Sequence, residues 1–445
     1  MVRKPLKTDF LKLNACLSSV YLTKKVMSQP TSKYFVLEKF TARLSLKSLV
    51  ALALVTFLPT HLFALGIRLP DQDAFATARG EAFAATADNP SAIYYNPAGI
   101  SQLDGINARI GGYGILLGSH FENGSTSVNT RQKLQGIPQL YVTGRIPDLP
   151  LTLGLGVYSP YGLGLEWPDN APFLVSPNFP KKGEIEYLTI NPVVAWKPWK
   201  CLSVSAGPTF NHAETELEFI PFGSTVNNFR FRGRDDDLGF NAGILWQPLK
   251  KHSFGVSYRS GTTMDFQGHA DTRIPALLPG PITESATARF QFPQNIVLGY
   301  SFRPNKKWNF EVNADWTDWH RLNTLTLNKS ATGMQSVPLN WDSSWFYEFG
   351  ATRYFKHGWH VSGGYIYSEN SVPSSSYNPI VPDSDRHIFS LGFGRKYKHI
   401  SWDATYQLAY GPERTISDQV GFNAPANGKY TYLSHALALS FGYHF

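Results

Sequence analysis

The sequence has 445 residues, 42% of them hydrophobic and 14% aromatic, but only 17% charged. A mean hydropathy of −0.22 excludes a polytopic helical membrane protein, which needs several apolar runs of about 20 residues, and the abundance of Tyr, Phe and Trp excludes a disordered chain. The formal charge of +8 points to nucleic acid only until it is located: residues 1–64 hold ten basic and two acidic residues, and the rest holds thirty-one of each, so the body carries no footprint for phosphate.

The first element is an address. Leu49 to Ala64 is apolar, follows Arg43 and Lys47, and ends on a small residue, the pattern of a secretory signal peptide. With Pro59 and His61 inside it, it is too short for a comfortable membrane span. Residues 1–64 are therefore expected to be an extension plus signal that is removed, with the translation start at Met1 or Met27 left open. One cysteine, Cys201, follows residue 64, so neither a disulfide scaffold nor a metal cluster is expected.

The next segment, 65–104, lacks alternation. It is rich in Ala, compatible with short helices, and broken by Asn89-Pro90 and Asn96-Pro97; Asn-Pro steps open turns. From 105 to 445 the chain alternates. Phe254, Val256 and Tyr258 oppose Ser253, Gly255 and Ser257, and the last strand places Leu433, Leu437, Leu439, Phe441 and Tyr443 against Ser434, Ala436, Ala438 and Ser440. Period two marks strands. The connectors form two sets: six short turns (146–150, 197–200, 248–251, 304–307, 356–358, 396–398) alternate with seven long loops (117–136, 163–184, 218–236, 268–287, 321–342, 370–384, 411–429). Fourteen antiparallel strands with short turns at one rim are the outer-membrane pattern, and closure removes the edges that lipid forbids. Trp196, Trp199, Trp246, Trp308 and Trp359 lie beside the short turns, as an interfacial belt requires. The expected fold is all-β: a 14-stranded antiparallel transmembrane β-barrel. Its lumen is wider than side chains alone fill, so the segment 65–104 is expected to be a small, partly helical plug.

Tyr95-Asn96-Pro97-Ala98-Gly99 resembles the plug motif of the FadL/TodX-like outer-membrane transporters. Ser159-Pro160-Tyr161-Gly162-Leu163 resembles the kinked third strand of that family, and Gly239–Leu245, Tyr258-Arg259-Ser260 and Val381–Arg386 resemble its later strands and loop. Ending on Phe445 resembles the terminal strand read by outer-membrane assembly machinery. The resemblance implies the same barrel with an N-terminal hatch, and uptake of long-chain fatty acids or, alternatively, aromatic hydrocarbons. It implies a monomer in the bacterial outer membrane, surrounded by lipopolysaccharide and lipid, with no cofactor and no catalytic residue. A general diffusion porin is a further alternative. An enzyme barrel is disfavoured because His360, His387 and His435 are scattered and no nucleophile elbow is present.

The candidate route has three parts. Loop 218–236 carries Phe219 and Phe222, and loop 268–287 carries Leu277 and Leu278; exposed apolar patches mark capture sites, although two such loops can also pack on each other as a lid. The resemblance places Ile67 in the binding cavity. A carboxylate head group wants a bidentate cation, and Arg259 and Arg386 fall on the lumen-facing parity. The alternative is that they brace the barrel against Glu311, Asp315 or Asp403. For the exit, Pro160 and Gly162 interrupt strand three, as Pro and Gly do at bulges and breaks. The resemblance makes Ser159, Pro160, Tyr161 and Gly162 a lateral opening, gated by Asn96, Pro97 and Ala98.

Overall fold

The computed structural model describes residues 67–124 and 126–445; the expected leader, 1–64, lies outside them. Twenty strand segments form one sheet. They make fourteen staves, five of them interrupted, plus the four-residue segment Thr126–Asn129, which folds back on the first stave. In chain order these are β1 (Ile106–Asn123), β2 (Leu134–Arg145), β3 (Leu151–Tyr158 and Gly162–Glu166), β4 (Lys182–Trp199), β5 (Leu202–Phe219) and β6 (Asn228–Leu249). There follow β7 (His252–Arg259 and Thr262–Arg273), β8 (Ile282–Phe292 and Asn295–Asn305), β9 (Trp308–Thr317 and Thr324–Lys329) and β10 (Gly333–Pro338 and Ser344–Tyr354). The last four are β11 (Trp359–Ser368), β12 (Arg386–Tyr397), β13 (Ile400–Ile416) and β14 (Gly428–His444). Each pairs with its neighbour in antiparallel register, and β1 closes on β14 from Asn107 opposite His444 to Glu122 opposite Lys429. The sheet is a closed barrel.

Alternation alone does not say which face is inside. Burial decides it. On β14 the side chains of Leu437 and Leu439 are 65% and 53% exposed, while Ala436 and Ala438 are each 3% exposed. A water-soluble barrel would bury the leucines; here the apolar face looks outward, as lipid requires. Trp196, Trp246 and Trp359 also lie exposed on that outer surface beside the short turns.

The chain departs from expectation at the long loops. The loops expected over 218–236 and 268–287 shrink to the stretches between β5 and β6 and between β7 and β8, because the strands continue past the lipid. There the alternation inverts. Phe229 and Phe231 point inward and are buried, while the intervening Arg230 and Arg232 face out and pair with Glu216. Above the bilayer the outer surface meets water, so the charged parity faces out and the aromatic parity fills the lumen.

The lumen holds a hatch, 67–105. It contains helix α1 (Ala74–Thr77), helix α2 (Ala92–Tyr95) and a 3-10 turn, Pro97–Gln102. Asp73 caps α1, its side chain accepting from the amides of Phe75 and Ala76. Asn96 caps the 3-10 turn, accepting from Ala98 N at 3.2 Å. Capping side chains satisfy the orphan amides of a helix start, which matters here because helices of four to six residues have no cooperative stability of their own. Their order comes from docking against the wall.

Candidate functional site: cavity, hatch and wall

An apolar cavity of about 70 Å³ lies in the extracellular half of the lumen. Phe219, Phe231, Phe266 and Phe290 come from four consecutive strands, Trp341 from the interruption of β10, and Ile67 from the hatch. Its polar lining is limited to Asn178, Thr215 and Asn378, and among the described residues no charged side chain lines it. A ligand held there is recognised by shape and apolar contact.

Beyond the first hatch residues lies a second, polar cavity of about 20 Å³, room for little more than one water. Arg68, Glu81, Asp315, Glu348 and Arg259 line it. The segment from Ile67 to Pro70 thus divides the lumen: Ile67 faces the apolar space, and Arg68 and Pro70 face the polar one.

Ion pairs tie the hatch to the wall. Arg68 donates to Asp315 and, at 2.7 Å, to Thr317 on β9. Arg79 pairs with Glu311 at 3.3 Å. Asp73 receives Arg109 of β1, which also bonds Asp403 of β13 at 2.7 Å. The acids Glu311, Asp315 and Asp403 were the expected partners of Arg259 or Arg386; they are instead taken by Arg79, Arg68 and Arg109. Arg259 is sandwiched between the rings of Tyr94 and Tyr158, at 4.5 and 5.1 Å. It donates to Tyr158 Oη at 2.7 Å and to the Tyr94 carbonyl at 3.2 Å, and among the described residues no carboxylate is within ion-pair reach. Arg386 is paired with Asp383 at 2.6 Å and lies over Tyr432.

The expected site residues separate in space. Ile67 and Phe219 line the apolar cavity, and Arg259 lines the polar one. Phe222 and Leu277 lie outside both, 64% and 68% exposed at the tips of their loops, and Leu278 sits beside Leu277, half-buried. Asn96 donates to Ala84 O at 2.7 Å and to Ile244 O of β6 at 3.0 Å. With Pro97 and Ala98 it fixes the hatch against β4, β5 and β6.

Strand β3 is interrupted between Tyr158 and Gly162. Its ladder with β2 ends at Val157 opposite Leu140. Residues 134–139 of β2 keep their backbone pairing with β1, and among the described residues they have no backbone ladder toward β3. The interrupted stretch pairs instead with the hatch. Leu69 N donates to Pro160 O at 2.9 Å, and Gly162 N donates to Ile67 O at 2.8 Å. Tyr161 turns inward, donating to Pro293 O at 2.7 Å and packing on Tyr187 and Phe292. The hatch residues bonded to this stretch are thus Ile67, Leu69 and Gln72, while Asn96, Pro97 and Ala98 are anchored elsewhere. Short-range patterning points to the break through Pro160. It carries no signal for Arg68, Arg79, Arg109 or Gln72, whose partners are remote in sequence.

A family model described as outer membrane protein transport protein (OMPP1/FadL/TodX) matches residues 55–445. The long-chain fatty acid transport protein of Escherichia coli O6:H1 is 23% identical over 451 residues, covering 90% of this chain and 97% of the relative. Among solved structures, a Pseudomonas aeruginosa FadL homologue superposes with a TM-score of 0.74 at 19% identity, covering 85% of this chain and 100% of its own. The Pseudomonas putida toluene transporter TodX gives 0.69 at 12% identity, covering 86% and 100%.

Proposed function

The chain belongs to the OMPP1/FadL/TodX family of outer-membrane transport proteins, and on that premise we propose that long-chain fatty acids are its cargo and that they leave sideways through the wall beside β3. At the coarser level the assignment is plain: it is a transport protein for hydrophobic molecules in the bacterial outer membrane, and not an enzyme. In the proposed route, the loop tips at Phe222, Leu277 and Leu278 make first contact. The apolar cavity beside Phe219 then holds the chain of the ligand.

One observation carries the reading. Ile67, which lines the cavity, is also the residue whose carbonyl holds Gly162 on the interrupted strand. A ligand that displaces Ile67 therefore removes a backbone bond that keeps Ser159, Pro160, Tyr161 and Gly162 in place. The hatch anchored by Asn96, Pro97 and Ala98 stays docked while its first residues move. Arg259 is the better placed of the two arginines for a carboxylate head group, since Arg386 already has Asp383. Replacing Pro160 by Val and deleting Gly162 should straighten β3 and abolish uptake without impairing folding; unchanged uptake would overturn the lateral exit.

A second reading, aromatic hydrocarbon as cargo, is favoured by the uncharged lining of the upper cavity. Mass spectrometry of lipids and hydrocarbons that co-purify with the protein separates the two. A fatty acid supports the first reading, and a neutral aromatic supports the second.

A further inference from the structure

We propose that Gln72, Gln135 and Gln139 form a side-chain latch across the β2–β3 seam, and that opening this latch sets the rate at which ligand passes through the wall. The inference rests on the lateral route proposed above.

The seam poses a definite physical problem. Over 134–139, β2 lacks a ladder toward β3. Pro138 removes one donor, and across the seam the backbone of β3 and of the hatch, at Gly164 O, Ser159 N and O, and Asp71 O, needs partners that lipid cannot supply. Three amide side chains bridge the gap. Gln135 Nε2 donates to Gly164 O at 2.7 Å, joining β2 to β3 directly. Gln139 Nε2 donates to Asp71 O at 2.8 Å, joining β2 to the hatch. Gln72 Nε2 donates to Ser159 O at 2.7 Å and to Leu69 O at 3.0 Å, and its Oε1 accepts from Ser159 N at 3.3 Å, joining the hatch to β3. Tyr141 Oη closes the circuit by donating to Gln72 O at 2.9 Å.

All three glutamines are buried, between 0% and 3% exposed. A primary amide suits a latch because it offers a donor and an acceptor without charge. It lets go by rotating about its own side-chain bonds, whereas a backbone ladder opens only if strands move together. Gln72 makes two bonds to one residue, Ser159, as a paired strand would. Among the described residues Gln135 Oε1 has no partner, so this member is held by its donor alone.

The test uses the full-length protein in liposomes, with radiolabelled hexadecanoate and radiolabelled toluene as probes. Methionine has the length of glutamine and cannot donate. Gln135→Met and Gln139→Met should speed passage of the favoured probe by about threefold to tenfold, the loss of one modest hydrogen bond each. Equilibrium binding in the upper cavity should not change, and hydrogen exchange at the amides from Gly162 to Glu166 should quicken. A purely structural role would lower stability and binding together. Should a Met variant fail to insert, Gln135→Leu also lacks the amide donor, carries no ionisable group and has the same expectation. A disulfide between Gln135→Cys and Gly164→Cys provides the opposite arm. If the locked protein passes probe at the wild-type rate, the lateral route itself is wrong. If locking stops passage reversibly but the Met variants pass at the wild-type rate, the route stands and the latch is overturned.

Discussion

Asp71 is a carboxyl buried in the hatch, with Gln407 Nε2 at 2.9 Å as its side-chain partner. Burial raises its pKa from 3.8 to about 6, against the smaller pull of the Gln407 hydrogen bond. Glu81 is driven up as well, by burial first and then by Asp71. For Asp71 the folded value exceeds the unfolded one, so its contribution to stability is complete below 3.8 and declines as pH rises through about 6. The span corresponds to something on the order of 2–3 kcal/mol. Asp71→Asn keeps an acceptor for Gln407 and removes the titration. Hydrogen exchange of the α1 amides in the wild type should loosen as pH rises from about 4 to about 7, and the variant should lose part of that loosening, the remainder being carried by Glu81; an unchanged profile would exclude Asp71 as a source. None of this is legible in sequence. Parity along strands correctly turns Arg259 and Arg386 inward, because period two is a local property. Which acid meets which arginine depends on where the hatch docks: Arg68 and Asp315 are 247 positions apart, and no short-range pattern links them.

At the level of elements, docking requires wall positions without side chains. Gly364 of β11 is such a position: a Cβ there would lie 1.9 Å from Gly80 N and 2.1 Å from Arg79 C. Neither neighbour is a flexible tip. Gly80 is itself in the left-handed region, at φ 57°, where glycine is at ease, so the turn has little freedom to retreat. Gly364→Ala should therefore displace the Arg79–Gly80 turn and loosen the Arg79–Glu311 pair. We expect a loss of more than about 2 kcal/mol in hatch stability, read as increased proteolysis within the hatch at constant barrel content. The strands tell a different story about legibility. Their number and the asymmetry of the connectors could be read because lipid enforces alternation. Their length could not, since beyond the bilayer the same period carries the opposite polarity. The stretch from Asn228 to Arg234 is a strand whose pattern argues for a loop only if apolar residues are assumed to face outward.

For the whole molecule, the decisive property is this inversion, and it changes what a substitution means. In a water-soluble protein a charge at an exposed position is nearly free, whereas here the exposed positions of the central band face hydrocarbon. Leu437 on β14 is 65% exposed and sits opposite Gly114 on β1 and Tyr406 on β13, within the closing seam of the barrel. Leu437→Arg should cost about 2–4 kcal/mol in a bilayer if the residue lies near the midplane. In detergent micelles, where an arginine side chain reaches water more readily, the cost should be much smaller. The adjacent Ala436 is buried, and Ala436→Arg should be destabilising in both media because it collides with the lumen. Folding titrations of the two variants in liposomes and in detergent check this. A medium-dependent penalty for Leu437→Arg with a medium-independent one for Ala436→Arg is the signature of an outward apolar face. Equal penalties for Leu437→Arg in both media would mean that packing within the protein, and not lipid, sets the polarity of the wall. The same arithmetic bears on the seam beside β3. Where the β2–β3 ladder stops, side-chain amides give the backbone of β3 and the hatch the partners that lipid cannot.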